Sequence, residues 1–148
     1  PDTMARLFAA DRCEHLYGTG GIEESIARGM AVFSDRYLFS SLAYQGLSGD
    51  PALPFELNKD YPLPEFLFFF DIDPAVSMGR ISKRGGEAEI YEKETIQRAV
   101  RARYREIIGR YEREEPDMRV IRVDAERPVG EIAEKIWSIV SDLPKMRV

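Results

Sequence analysis

The chain of 148 residues has one cysteine, Cys13, one histidine, His15, and one tryptophan, Trp137. A lone cysteine excludes an internal disulfide framework. One His beside one Cys cannot assemble a zinc or iron–sulfur ligand set, so these three residues are read as structural. A chain without disulfides fits a reducing compartment, and a cytoplasmic location is expected. No apolar run nears the roughly 18 residues of a membrane-spanning helix. The first residues show no basic-then-apolar targeting pattern. An excess of positive charge is missing too: 21 Lys and Arg face 26 Asp and Glu, a net charge of −5. A broad basic field for nucleic acid is therefore excluded, and neither nucleic acid nor membrane is an expected partner. Any phosphate must be held by local arginines. Internal repeats and low-complexity segments are absent.

What remains is 44% apolar and 32% charged residues, the balance of a soluble globular protein, and the length suits one domain, 1–148. Helical spacing covers 3–16. Gly18 to Gly21 form a loop, and a helix over 22–28 closes at Gly29, a residue suited to the left-handed cap. Residues 30–34 read as a short strand and 38–45 as a helix, followed by a Gly/Pro-rich loop over 46–64. The apolar run 66–70 predicts a strand buried on both faces of a parallel sheet. Asp73-Pro74 predicts an N-cap with proline at the first helical position, and that helix runs to about Arg84 before Gly85-Gly86. Apolar residues from Ile96 to Tyr111 mark a long amphipathic helix starting at Glu94. A third strand spans Val120 to Val123, and a last helix runs from Val129 to Leu143. Alternating strands and helices predict a three-layer α/β fold with a parallel sheet. Three strands are few for such a sheet.

Asp35-Arg36 follows the first of these strands and is expected on the carboxyl edge of the sheet, where ligands bind. A carboxylate there can hold magnesium and an arginine can fork phosphate oxygens. The alternative is a local ion pair. On the next helix Ser41, Tyr44 and Gln45 share a face. A primary amide matches the imide edge of a pyrimidine; the alternative is a solvated polar face. Phe8 and Arg12, four apart, offer an aromatic platform and a guanidinium, or else a core residue and a surface one. Arg80, Lys83 and Arg84 at a helix end suit the helix dipole or a lid over a polyphosphate. The arginines at 98, 101, 103, 105 and 110 read as a solvated face. Gly18 to Gly21 lack the Lys-Ser/Thr ending of a phosphate loop.

Taken in order, "LFAADRCEHL" (7–16), "SDRYLFSSLAYQG" (34–46), "FDIDPAVSMGRISKRG" (70–85), "IYE" (90–92) and "VIRVDAERPVGEIAEKI" (120–136) resemble the thymidylate kinase family. These are P-loop enzymes that phosphorylate dTMP from ATP. The resemblance covers nearly the whole chain. It implies that Phe8 stacks on thymine and that Arg12 meets the base or its phosphate. Asp35 would help hold Mg2+, and Arg36 would bridge the phosphates during transfer. Ser41 and Gln45 would read the thymine edge, and Tyr44 would crowd a ribose 2′-hydroxyl. Tyr91 and Glu92 would close from a lid at about 84–93. Arg84 would lie on the ATP adenine, near Asp124 and Ala125.

Two departures stand out. The Gly-rich phosphate loop and its flanking strands are not among these residues, and about fifty residues, one β–loop–α–β unit, are expected before Pro1. Ile90 stands where many relatives carry a lid arginine. The expectation is a P-loop-type three-layer kinase, a homodimer in dTTP biosynthesis. The rivals are another P-loop nucleotide or deoxynucleoside kinase, and a non-catalytic nucleotide-binding relative.

Overall fold

The computed structural model describes residues 2–47, 49–82 and 90–141, with side chains set aside at 90–93. The chain forms two compact units, one within Pro1–Pro62 and the other within Leu63–Lys145.

The first unit is helical. α1 (Asp2–Tyr17) is followed by α2 (Ile22–Ala27), α3 (Leu38–Tyr44), a 3-10 turn (Gln45–Leu47) and α4 (Leu53–Asn58). α1 turns the small residues Ala5 and Ala9, with Leu16, inward, and it lies against α2, α3 and α4. Leu38 and Leu42 of α3 are fully buried. Each such side chain stabilises the unit by about 1.5–3 kcal/mol. The Tyr61 hydroxyl donates to the Ala9 carbonyl at 2.8 Å, tying the segment after α4 to α1. α2 ends in a Schellman motif: Met30 N–H donates to the Ser25 carbonyl at 3.0 Å and Gly29 N–H to that of Ile26 at 2.8 Å. Gly29 sits at φ 79°, a left-handed conformation that glycine adopts without a Cβ clash.

Two expectations fail in this unit. Residues 30–34 form no strand, and Phe33 is 70% exposed. A strand needs a ladder partner for its backbone groups, and none pairs with this segment among the described residues. Asp35 and Arg36 therefore follow an exposed, irregular stretch instead of a strand end. The loop expected over 46–64 contains α4. Pro54 reads as a breaker, yet it occupies the first turn of α4, where its missing N–H costs nothing.

The second unit pairs β1 (Phe66–Asp71) with β2 (Arg119–Asp124) in parallel, Phe66 opposite Arg119 and Asp71 opposite Asp124. The described sheet has two strands where three were expected. β1 is not buried on both faces; Phe70 is half exposed and its neighbours are intermediate. α5 (Pro74–Ser82) begins as expected, the Asp73 carboxylate accepting from Ala75 N–H at 2.9 Å. α6 (Ile90–Glu114) starts a turn before Glu94 and buries Val100, Ile107 and Ile108. The Phe69 ring packs on Tyr104 of α6 with centroids 5.8 Å apart.

The α6 arginines are not simply solvated. Arg101 donates to Asp71 at 2.7 Å and to Asp73 at 2.9 Å, and Arg105 to Asp71 at 2.5 Å. Arg98, Arg103 and Arg110 make surface pairs along the helix, with Glu94, Glu106 and Glu114, and Arg98 also lies 4.0 Å from Asp73. α7 (Val129–Val140) has the expected spacing, but Trp137 is 65% exposed and is no core residue. Cys13 and His15 are exposed as well. Among the described residues no helix is long and apolar enough to cross a membrane.

Candidate functional site

In the first unit two candidate residues from different helices, Arg12 and Ser41, are brought into contact, and the rest of this cluster is built around Arg12. Its Nη1 donates to the Asn58 side-chain oxygen and its Nη2 to the Ser41 hydroxyl at 3.0 Å. Its guanidinium lies 5.4 Å from the Tyr37 ring centroid and 5.9 Å from that of Tyr61. Burial pulls the Arg12 pKa below its ordinary value, opposed by Tyr37, Tyr61 and Asp11, and an arginine remains charged throughout the neutral range. The Tyr37 hydroxyl donates to the Pro62 carbonyl at 2.9 Å. Burial pushes its phenol up to about 12, against the pull of Arg12, so it stays a neutral donor.

Ser41, on α3, is only 3% exposed, so its hydroxyl belongs to an interior contact and not to a solvated face. One turn on, the Gln45 side-chain oxygen is buried with no hydrogen-bond partner among the described residues. An orphaned buried acceptor costs about 1–3 kcal/mol, and such a cost is commonly met where a ligand completes the bond. Phe8 lies one turn before Arg12 on α1 and is 43% exposed. These groups are linked stepwise: Phe8 lies one turn from Arg12 on α1, Arg12 bonds Ser41, and Gln45 follows Ser41 by one turn. Together they can meet a ligand edge that offers both a carbonyl and an N–H.

Arg36 sits at φ 67°, an uncommon region for a side chain other than glycine. The Ser34 hydroxyl donates to the Arg36 carbonyl at 2.8 Å and holds this turn. The guanidinium lies 5.7 Å from the Tyr44 ring centroid. Strain of this kind costs about 1–3 kcal/mol and clusters at functional sites. Asp35, beside it, is exposed. Among the described residues no cluster of three or more His, Cys, Asp or Glu could hold a metal ion.

In the second unit Asp124 ends β2 and Ala125 opens the turn after it. Ala125 N–H donates to the Asp71 carbonyl at 2.9 Å, and Glu126 N–H to the Asp124 carboxylate at 3.0 Å. Arg80 is engaged with the backbone. It clamps this turn, donating at 2.8 Å to the carbonyls of both Ala125 and Glu126. Arg84 lies outside the described residues, as do the side chains of Tyr91 and Glu92.

Sequence reasoning missed Asn58, Tyr37, Tyr61 and Ser34, and it did not foresee the Arg80 contacts with the turn after β2. Asn58 and Tyr61 lay in a segment read as loop, where polar residues are ordinary. Only a helical reading of 53–58 would have turned Asn58 inward.

The thymidylate kinase family matches residues 1–136. A protein named as a thymidylate kinase from Treponema pallidum (strain Nichols) is 44% identical over 133 residues, 90% of this chain and 64% of that protein. One from Pyrobaculum calidifontis is 36% identical over 141 residues, covering 95% of this chain and 68% of the relative. One from Thermococcus kodakarensis is 34% identical over 143 residues, covering 96% and 66%. The chain belongs to the thymidylate kinase family. It spans between about half and two-thirds of the length of the relatives it matches.

Proposed function

We propose that the chain provides the dTMP site of a thymidylate kinase, which transfers the γ-phosphoryl group of ATP to dTMP to give dTDP for dTTP biosynthesis. The observation that carries this reading is the Arg12 fork, bonded to Asn58 and Ser41, with the unsatisfied Gln45 oxygen one turn beyond Ser41. Thymine presents a carbonyl oxygen next to an N–H. Arg12 would donate to the carbonyl and Gln45 would accept from the N–H. Phe8 would stack on the ring, at about 1–3 kcal/mol per base. Tyr44 would disfavour a ribose 2′-hydroxyl, and Arg36, held in its strained turn, would reach the phosphates.

The finer fold in this reading is the three-layer P-loop kinase sheet, one domain with a lid at about 84–93. Tyr91 and Glu92 would close over the nucleoside. ATP would lie against Arg84 and the Asp124-Ala125 turn. A homodimer, which the family resemblance implies, would bury the apolar side chains of Met4 and Leu7 exposed on α1. A cytoplasmic location belongs to the same reading.

Phosphoryl transfer of this kind is catalysed by positioning and charge neutralisation. Magnesium usually takes one or two carboxylates together with waters and substrate phosphates. The exposed Asp35, next to a phosphate-seeking arginine, fits that donor set without a dedicated cage. Bound there, Mg2+ would neutralise charge on the phosphates. Asp35 would orient it, and Arg36 would hold the transferring oxygens.

The test is phosphoryl transfer from ATP to a panel of monophosphates by the intact protein. dTMP should be the preferred acceptor. dUMP, which lacks one methyl group, should fall behind by about tenfold or more. Preference for dCMP, UMP or unphosphorylated thymidine would refute the substrate assignment.

A further inference from the structure

Asn58 is the last residue of α4 and is 2% exposed, an unusual burial for a primary amide. Both halves of the amide are committed. Its oxygen accepts from Arg12 Nη1, and its nitrogen donates to the Pro54 carbonyl at 2.6 Å. Rotating the amide by half a turn would set N–H groups against the guanidinium and a carbonyl against a carbonyl. The orientation is therefore fixed by both neighbours. A free arginine side chain carries about 2 kcal/mol of rotamer entropy. Here the fork is ordered before any ligand arrives, by Asn58 on one arm and Ser41 on the other.

The partner on the Nη1 arm is neutral. A carboxylate at position 58 would hold the fork equally well in shape, but it would cancel the charge that a ligand carbonyl or phosphate would use. An amide orders the arginine and leaves that charge in place.

We propose that Asn58 is a positioning residue for nucleotide recognition, presenting Arg12 in a fixed orientation with its charge intact. This rests on the dTMP reading of the same site. The experiment compares the parent protein with Asn58→Leu and Asn58→Asp. Each is made with Arg12 retained and with Arg12→Met, and the readouts are calorimetric dTMP binding, KM for dTMP and for ATP, kcat and thermal melting. With Arg12 present, Asn58→Leu and Asn58→Asp should each raise KM for dTMP by about tenfold or more, the scale of one hydrogen bond to a charged group. KM for ATP and kcat should change by less than about threefold on the same scale. Asn58→Asp keeps an acceptor for Arg12 but loses the N–H donated to the Pro54 carbonyl, so it should melt somewhat below the parent while remaining folded. With Arg12→Met, Asn58→Leu should add less than about twofold, since Asn58 acts through Arg12.

Full dTMP affinity in Asn58→Asp would overturn the proposal. So would an equal loss from Asn58→Leu in both backgrounds. Should Asn58→Leu fail to fold, the Asn58→Asp comparison still decides. Failure of the parent to bind dTMP would sink the functional reading itself. Binding by the parent with unaffected Asn58 variants would sink only the role of Asn58.

Discussion

Arg12→Lys keeps the positive charge and removes the fork, so it isolates what the guanidinium geometry contributes. In the folded chain Arg12 makes two hydrogen bonds from separate nitrogens, to Asn58 and to Ser41, and lies between two tyrosine rings. A lysine ammonium is a point donor and would reach one of the two partners. Loss of one hydrogen bond involving a charged group costs about 1.5–3 kcal/mol, and the weaker ring contact adds about 0.5–1 kcal/mol. Lysine still bears a half-buried charge, so little desolvation is regained. The expected net loss is about 2–4 kcal/mol, which lowers the melting temperature by roughly 4–16 °C for a chain of this size. Binding of dTMP should weaken by at least about tenfold, because the fork no longer faces the base. Circular dichroism melting and calorimetric titration with dTMP measure the two effects on one sample. A Lys variant that melts within a degree of the parent and binds dTMP with unchanged affinity would refute the view that the fork organises the site.

Other expectations follow from the same geometry. Burial tends to raise the Asp71 pKa, but hydrogen bonds from Arg105 and Arg101 outweigh it and hold the carboxyl below its ordinary value. Asp73 is lowered by the Ala75 N–H and by Arg98 and Arg101. Groups depressed on folding contribute stability above their unfolded pKa and lose it as pH falls through the folded one. The urea midpoint should therefore decline below about pH 4, and Asp71→Asn should flatten that decline; an unchanged acid limb in the variant would contradict the assignment. Arg36→Ala should cut turnover by about 10³-fold or more with melting intact, whereas near-normal turnover would remove Arg36 from the transfer step. Gly29→Ala forces an L residue to φ 79° and should cost about 1–2 kcal/mol, read as a lower melting temperature; an unchanged melt would mean that the turn relaxes.

Helices were legible wherever apolar spacing and caps agreed. α1 and α3 fall close to their expected bounds, and Asp73-Pro74 opens α5 as read, while its expected end near Arg84 lies outside the described residues. The expected strand at 30–34 failed for a different reason. Val32 and Phe33 have strand propensity, but propensity yields a strand only when a neighbouring ladder is present. α4 was hidden because Pro54 signals a break in the interior of a helix and a start in its first turn, and the sequence alone does not say which applies. At the site, helical spacing correctly set Ser41 and Gln45 one turn apart. It could not show that Ser41 is interior, because its partner Arg12 comes from a different helix 29 residues away. Asn58 and Tyr61 were illegible for the same reason: their roles come from packing on α1, not from a local pattern.

A crystal structure of the protein with dTMP tests the central claim most directly. The thymine ring should lie on Phe8, with a carbonyl oxygen within hydrogen-bond reach of the Arg12 guanidinium and the ring N–H on the Gln45 oxygen. A nucleotide seated on other residues, with the Gln45 oxygen still lacking a partner, would contradict it.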